Sequence, residues 1–234
     1  IKNLKGADIF YIADTLYAPY GDKNKDEIFS RSEKIANYLL KNYEIDALVI
    51  ACNTATSVAI KHLREVFPSL IIIGTEPGIK PAINNTKTKN IGILATASTL
   101  KGELTTKSEV KLYEQACIGL VEQIENGEIN SLKTYAMLEN WLKPMLHNKV
   151  DTIVLGCTHY PLVKKTILDI VGEDVLLIDT GDAIAKRVVT LSQDLQNNNK
   201  DELNIEILYT GKINSDMVKI ILGKNKFEMR KCEL

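Results

Sequence analysis

The chain has 234 residues, 45% of them hydrophobic and 25% charged, enough for one or two domains with a substantial core. A formal net charge of −1 gives no electrostatic reason to expect a nucleic-acid or membrane partner. Apolar runs such as Ala47–Ile50 and Leu70–Ile73 are strand-length, far short of the roughly 20 residues that span a bilayer.

From the N-terminus onward, short β-branched runs alternate with helical patterns. This is the signature of βαβ units and of parallel sheets buried on both faces. Strands are predicted near 8–13, 46–51, 70–74, 90–95, 110–116, 150–156, 174–178, 203–209 and 226–232, with helices between them. In 25–41, Ile28, Ile35, Tyr38 and Leu39 form an apolar face, while Lys25, Glu27, Arg31 and Lys34 are expected to face water. Asn53 or Thr54 is placed to cap a helix over 55–66, whose Val58, Ala59, Leu63 and Val66 would pack on a sheet. Glu76-Pro77-Gly78 and Thr180-Gly181-Asp182 combine turn residues after a strand, so the chain is expected to change domain there. The expected division is 1–78 plus 183–234 for one domain and 79–182 for the other. Asn197–Lys200 reads as a polar loop.

Four cysteines, at 52, 117, 157 and 232, contain no Cys-x-x-Cys pair. They fit neither a disulfide framework nor a zinc module, and read as free thiols in a reducing compartment. Ile1–Gly6 lacks the apolar core and small-residue cleavage site of a secretory signal, so a cytoplasmic setting is expected.

One internal repeat stands out. Leu48-Val49-Ile50-Ala51-Cys52-Asn53-Thr54 and Ile153-Val154-Leu155-Gly156-Cys157-Thr158-His159 share an order: apolar strand, small residue, cysteine, small polar residues, then a helix. In open parallel sheets ligands bind beyond the carboxyl ends of strands, where helix N-termini present free N–H groups. A thiol there is expected to have a lowered pKa, and the same N–H groups can hold a carboxylate. If Cys52 and Cys157 flank one bound carbon, one thiolate can remove a proton from one face while the opposite thiol supplies a proton to the other. Such a site must stabilise charge spreading into the carboxylate and keep water out. His159 is a candidate acid or base partner for Cys157.

Taken singly, a cysteine ending a buried strand is usually a packing residue. The repeat and its polar neighbours are what favour chemistry for the pair. Cys117 and Cys232 lack such neighbours and are read as structural. His62 and His147 fit solvent-facing or helix-end roles. Thr96 and Thr99 are expected to cap a helix, with substrate contact as an added role.

At these residues the sequence resembles the glutamate racemases of the aspartate/glutamate racemase superfamily. The motifs are Ala51-Cys52-Asn53-Thr54-Ala55-Thr56 and Leu155-Gly156-Cys157-Thr158-His159-Tyr160-Pro161-Leu162, supported by Ala13-Asp14-Thr15, Pro19-Tyr20-Gly21, Glu76-Pro77-Gly78 and Ile178-Asp179-Thr180-Gly181-Asp182-Ala183. The resemblance implies an α/β fold of two pseudo-symmetric domains, each a mostly parallel sheet flanked by helices, with the active site in the interdomain cleft. It implies interconversion of L- and D-glutamate without pyridoxal phosphate, metal or other cofactor, supply of D-glutamate for peptidoglycan, and a homodimer. It assigns Cys52 and Cys157 as the acid/base pair, His159 as assistant to Cys157, and Glu122 as the acidic residue on that side. Pro19, Tyr20, Gly21, Asn53, Thr54, Thr96, Thr99 and Thr158 would line the substrate pocket. Thr56 and His159 stand where aspartate-specific relatives carry histidine and glutamate, which points to glutamate. The family also has a strand ending in Asp-Ser-Gly ahead of the position of Ile1, and a longer stretch between Ala95 and Glu122. Competing readings are a sibling activity on aspartate, hydantoins or maleate, and a ligand-binding module without catalysis. A thiol-redox enzyme fits less well, because the cysteines lack a close resolving partner in sequence.

Overall fold

The computed structural model describes residues 6–101, 109–192, 195 and 203–234. Asn197–Lys200 and part of the stretch between Ala95 and Glu122 lie outside them. Among the described residues the chain alternates strand and helix: β1 (Asp8–Ala13), α1 (Lys25–Asn42), β2 (Ala47–Ile50), α2 (Asn53–Val66), β3 (Ile71–Gly74), α3 (Ile79–Asn85), β4 (Asn90–Ala95), α4 (Ala97–Lys101) and β5 (Lys111–Ala116). There follow α5 (Leu120–Glu125), α6 (Leu132–His147), β6 (Thr152–Gly156), α7 (Lys164–Val171), β7 (Leu176–Ile178), α8 (Gly181–Leu191), β8 (Asn204–Tyr209), α9 (Ser215–Leu222) and β9 (Glu228–Lys231). Every strand pairing among them is parallel. No helix among the described residues is long and apolar enough to cross a membrane.

The chain forms two compact units, one of residues 1–50, 58–74 and 182–234, the other of 51–57 and 75–181. The second unit is built on a four-stranded sheet of order β5-β4-β6-β7. Its central β4 reads as an almost unbroken apolar run because both faces are covered: Ile91, Ile93, Leu94 and Ala95 have no exposure. Ile91, Ile93, Ala95 and Val154 pack with Ala82 of α3, and Ile79, Ile83, Leu112 and Ile178 close the edges of this core. Gly156 ends β6 where a Cβ would lie 2.9 Å from the Leu94 carbonyl oxygen, so only glycine lets β6 run this close to β4.

The first unit divides its strands between two sheets, β1-β8-β9 and β2-β3. α1 starts from a reciprocal cap in which Asn24 Oδ1 accepts from the Glu27 N–H at 2.9 Å and Glu27 Oε2 accepts from the Asn24 N–H at 3.1 Å. It buries Ile28, Ser32, Ala36 and Leu39. Ala36 joins Ala59, Leu63 and Ile72 in the core over β2-β3. Ile205, Ile207, Val218 and Leu222 form the core under α9.

Arg31 departs from the expectation that it faces water. Its side chain is 12% exposed and makes a two-pronged bond to Asp14, itself 6% exposed, with Nε at 2.8 Å and Nη2 at 2.6 Å. Helical spacing placed Arg31 on the polar face; the buried carboxylate just beyond β1 outweighs that pattern. Tyr20 Oη and Thr210 Oγ1 donate to the same carboxylate at 2.7 and 2.8 Å. Burial alone would raise the Asp14 pKa, but these three donors and the Arg31 charge outweigh it and hold the carboxyl below its ordinary value. A depressed carboxylate contributes stability that is present above its unfolded value of about 3.9 and lost as pH falls through the folded value. Arg31→Met, which strands a buried charge, is expected to cost about 3 kcal/mol in urea unfolding at neutral pH. Asp14→Asn is expected to flatten the acid limb of the stability profile; an unchanged acid limb would refute the role given to this cluster.

Candidate active site

Cys52 stands between β2 and α2. Its carbonyl accepts the Thr56 N–H at 2.9 Å and its Sγ accepts the Ala55 N–H at 3.4 Å, so the thiol occupies the cap usually held by serine, threonine or aspartate. The expectation that Asn53 or Thr54 caps a helix beginning at 55 is thereby corrected. The helix begins at Asn53, and both side chains are released for other contacts. Asn53 Nδ2 donates to the Gly156 carbonyl at 2.7 Å, and its Oδ1 is a buried acceptor without a protein partner. Thr54 Oγ1 lies 3.2 Å from Thr96 Oγ1 and 3.2 Å from Thr99 Oγ1, and those two are 3.0 Å apart. Thr96 also caps α4 by accepting the Thr99 N–H at 3.4 Å, whereas Thr99 lies within that helix.

Cys157 follows β6 and precedes a 3-10 turn, Tyr160–Val163, that leads into α7. Thr158 is exposed, and its Oγ1 donates to the Ala51 carbonyl at 3.1 Å. Cys157 Sγ lies 3.7 Å from His159 Nδ1, and His159 Nε2 lies 2.6 Å from Glu125 Oε1. The second unit thus assembles Cys52, Asn53, Thr54, Thr96, Thr99, Cys157, Thr158 and His159. Pro19, Tyr20 and Gly21 belong to the first unit, where a 3-10 turn over Tyr20–Asp22 is fastened by the Tyr20 hydroxyl to Asp14.

Glu125 was not singled out by sequence. The residue chosen there, Glu122, is an exposed first-turn residue of α5 whose charge reaches Tyr160. Glu125, one turn further along, is the carboxylate hydrogen-bonded to the histidine. The missed signal was the three-residue spacing, which places both glutamates on one face of a helix.

The electrostatics separate the two thiols. Burial raises the Cys52 pKa and charge on Cys157 raises it further, outweighing the helix N–H groups that lower it. The expectation of a lowered value at Cys52 is therefore overturned, because the capping N–H groups do not repay the loss of water. Burial alone would lower His159; its hydrogen bonds to Cys157 and Glu125 and the charges on both outweigh this and bring it up to about 10. With the Glu125 carboxylate at Nε2 and the Cys157 sulfur at Nδ1, this environment favours the doubly protonated ring. Cys117 is buried and pushed up to about 12, chiefly by loss of water, so it stays a thiol. Cys232 is also buried, and burial raises it. Among the described residues no group of three or more His, Cys, Asp or Glu is placed to hold a metal ion.

The family model for Asp/Glu/Hydantoin racemases matches residues 10–188. A glutamate racemase of Aliarcobacter butzleri is 61% identical, the match covering 100% of this chain and 93% of its own length. One from Sulfurovum sp. is 57% identical over 94% of this chain and 86% of its own. Among solved structures, a glutamate racemase of Escherichia coli in complex with L-glutamate and the activator UDP-MurNAc-ala superposes with a TM-score of 0.82. It has 30% identity and covers 95% of this chain and 86% of its own. A glutamate racemase isoform of Bacillus anthracis gives 0.82 at 29% identity, covering 98% and 89%.

The His159 environment predicts a titration at about 10 when its ring signals are followed by NMR. Replacing Glu125 with glutamine removes one charge partner and is expected to move that titration down toward the ordinary value of about 6.5. A wild-type midpoint already near the ordinary value would contradict the Cys157–His159–Glu125 arrangement.

Proposed function

The chain belongs to the Asp/Glu/Hydantoin racemase family, and on that premise we propose that it is a glutamate racemase, an isomerase that interconverts L- and D-glutamate by proton transfer between Cys52 and Cys157. The observation that carries this reading is the pairing of one thiol held protonated with a second thiol beside an imidazolium, both in the same unit. Inversion needs one acid and one base at the same moment. In one direction, the α-C–H bond breaks and its proton joins the Cys157 sulfur, while the Cys52 S–H breaks and its proton forms the new C–H bond on the opposite face. The reverse direction exchanges the roles. Each turnover leaves one proton moved at each sulfur and none gained or lost overall.

The remaining residues supply charge balance and orientation. Protonated His159, held at Nε2 by Glu125, offsets the charge that a thiolate at Cys157 carries. Asn53 Oδ1, buried and unpartnered, is suited to accept from the substrate ammonium group. The Thr54, Thr96 and Thr99 hydroxyls can turn from one another to donate to a carboxylate. Thr158 adds a further hydroxyl. Pro19, Tyr20 and Gly21 are assigned substrate contact by motif, and Glu122 contributes negative charge near Tyr160. The same reading includes supply of D-glutamate to peptidoglycan synthesis, a cytoplasmic location, a homodimer and no added cofactor.

In deuterium oxide, both enantiomers of glutamate are expected to gain deuterium at the α-carbon without added cofactor, read by mass spectrometry with chiral separation. Cys52→Ser and Cys157→Ser should each lower racemisation by about 10³-fold, because a serine hydroxyl is a far poorer base. Full racemisation by either variant would remove that cysteine from the mechanism. Faster turnover of aspartate or a hydantoin than of glutamate would overturn the substrate assignment.

A further inference from the structure

The two cysteine segments are joined by a reciprocal pair of hydrogen bonds. Asn53 directly follows Cys52, and its Nδ2 donates to the carbonyl of Gly156, which directly precedes Cys157, at 2.7 Å. Thr158 directly follows Cys157, and its Oγ1 donates to the carbonyl of Ala51, which directly precedes Cys52, at 3.1 Å. Each cysteine is therefore bracketed on both sides by a bond to the other's segment. β2 and β6 lie in different sheets, so no ladder of strand hydrogen bonds links Cys52 to Cys157.

We propose that Asn53 and Thr158 are positioning residues that form a two-point clasp fixing the separation and facing of the two sulfur atoms. The proposal rests on the two-thiol reading above and deepens it. One bond would leave a hinge; two, on opposite sides of each cysteine, restrain rotation as well as distance. The anchor on one side is stiff, because Gly156 is the last residue of β6 and is paired with Ala95 of the central strand β4. The first turn of α2 is further tied by Thr54 to Thr96 and Thr99. Asn53 is buried and Thr158 exposed, so the Asn53 bond carries more of the restraint.

Precise spacing has a distinct kinetic signature. When both sulfurs reach the α-carbon, loss of a proton on one face is followed by delivery on the other, and exchange is coupled to inversion. If the second sulfur stands too far away, the first thiol, having traded its S–H for S–D with solvent, returns deuterium to the face it came from. Exchange then outruns inversion. Loss of a mere substrate contact raises KM and leaves this ratio unchanged.

The test uses the full chain at saturating L-glutamate in deuterium oxide, measuring deuterium in the remaining L-enantiomer per D-glutamate formed. Asn53→Ala is expected to lower kcat by roughly 10- to 100-fold and to raise the ratio at least about threefold. Thr158→Val, which keeps the shape but cannot donate, should shift both in the same direction by less, and Thr158→Ser, which keeps the donor, should restore both. An unchanged ratio in Thr158→Val overturns the clasp whatever happens to KM, and settles the matter if Asn53→Ala does not fold. Wild-type protein that neither exchanges nor racemises overturns the two-thiol reading and this inference with it.

Discussion

Two sulfur atoms near enough for the charge on one to oppose ionisation of the other cannot readily both be thiolates. The rest of the site follows from that constraint. At Cys52, burial and the neighbouring sulfur together exceed the help given by the N–H groups of α2, and the thiol keeps its proton. At Cys157 the partner is an imidazolium, held in that state by a carboxylate at its far nitrogen. The same residue type, placed twice after a parallel strand, thus receives two different environments, as an acid and a base acting together require.

The fold supplies those environments through small local devices. A thiol acting as helix cap frees Asn53 and Thr54, the two residues that would ordinarily do the capping, to reach across to Gly156 and to the threonines at the start of α4. The close approach of β6 to β4, possible only with glycine at 156, fixes the backbone from which Cys157 and His159 project. A buried polar group left unpaired costs stability, and Asn53 Oδ1 is such a group. On the proposed reading, a substrate donor that reaches this acceptor would turn that cost into a contribution to binding.

Much of this was legible in the chain because hydrophobic periodicity and strand-end motifs are local. Among the described residues the nine strands fall where the β-branched runs predicted them, and the repeat around Cys52 and Cys157 pointed to the residues that lie together in the second unit. What sequence missed depended on partners distant along the chain. The start of α2 was set two residues late because cysteine is not an expected cap. Arg31 was placed in water because its helical face says so, while the carboxylate that buries it belongs to another element. Glu125 was not singled out because a motif fixes a segment but not which helix-face carboxylate meets a histidine. The direction of the Cys52 pKa shift was reversed because a helix N-terminus is visible in sequence and the depth of burial is not.

The central claim is that one α-carbon is shared by both sulfurs, and its most direct test is an experimental structure with glutamate bound. The account predicts Sγ of Cys52 and Sγ of Cys157 on opposite faces of the α-carbon, each at about 3–3.5 Å, the range of a near-attack arrangement. Bound glutamate with both sulfurs on one face, or with either sulfur out of reach of the α-carbon, would contradict it.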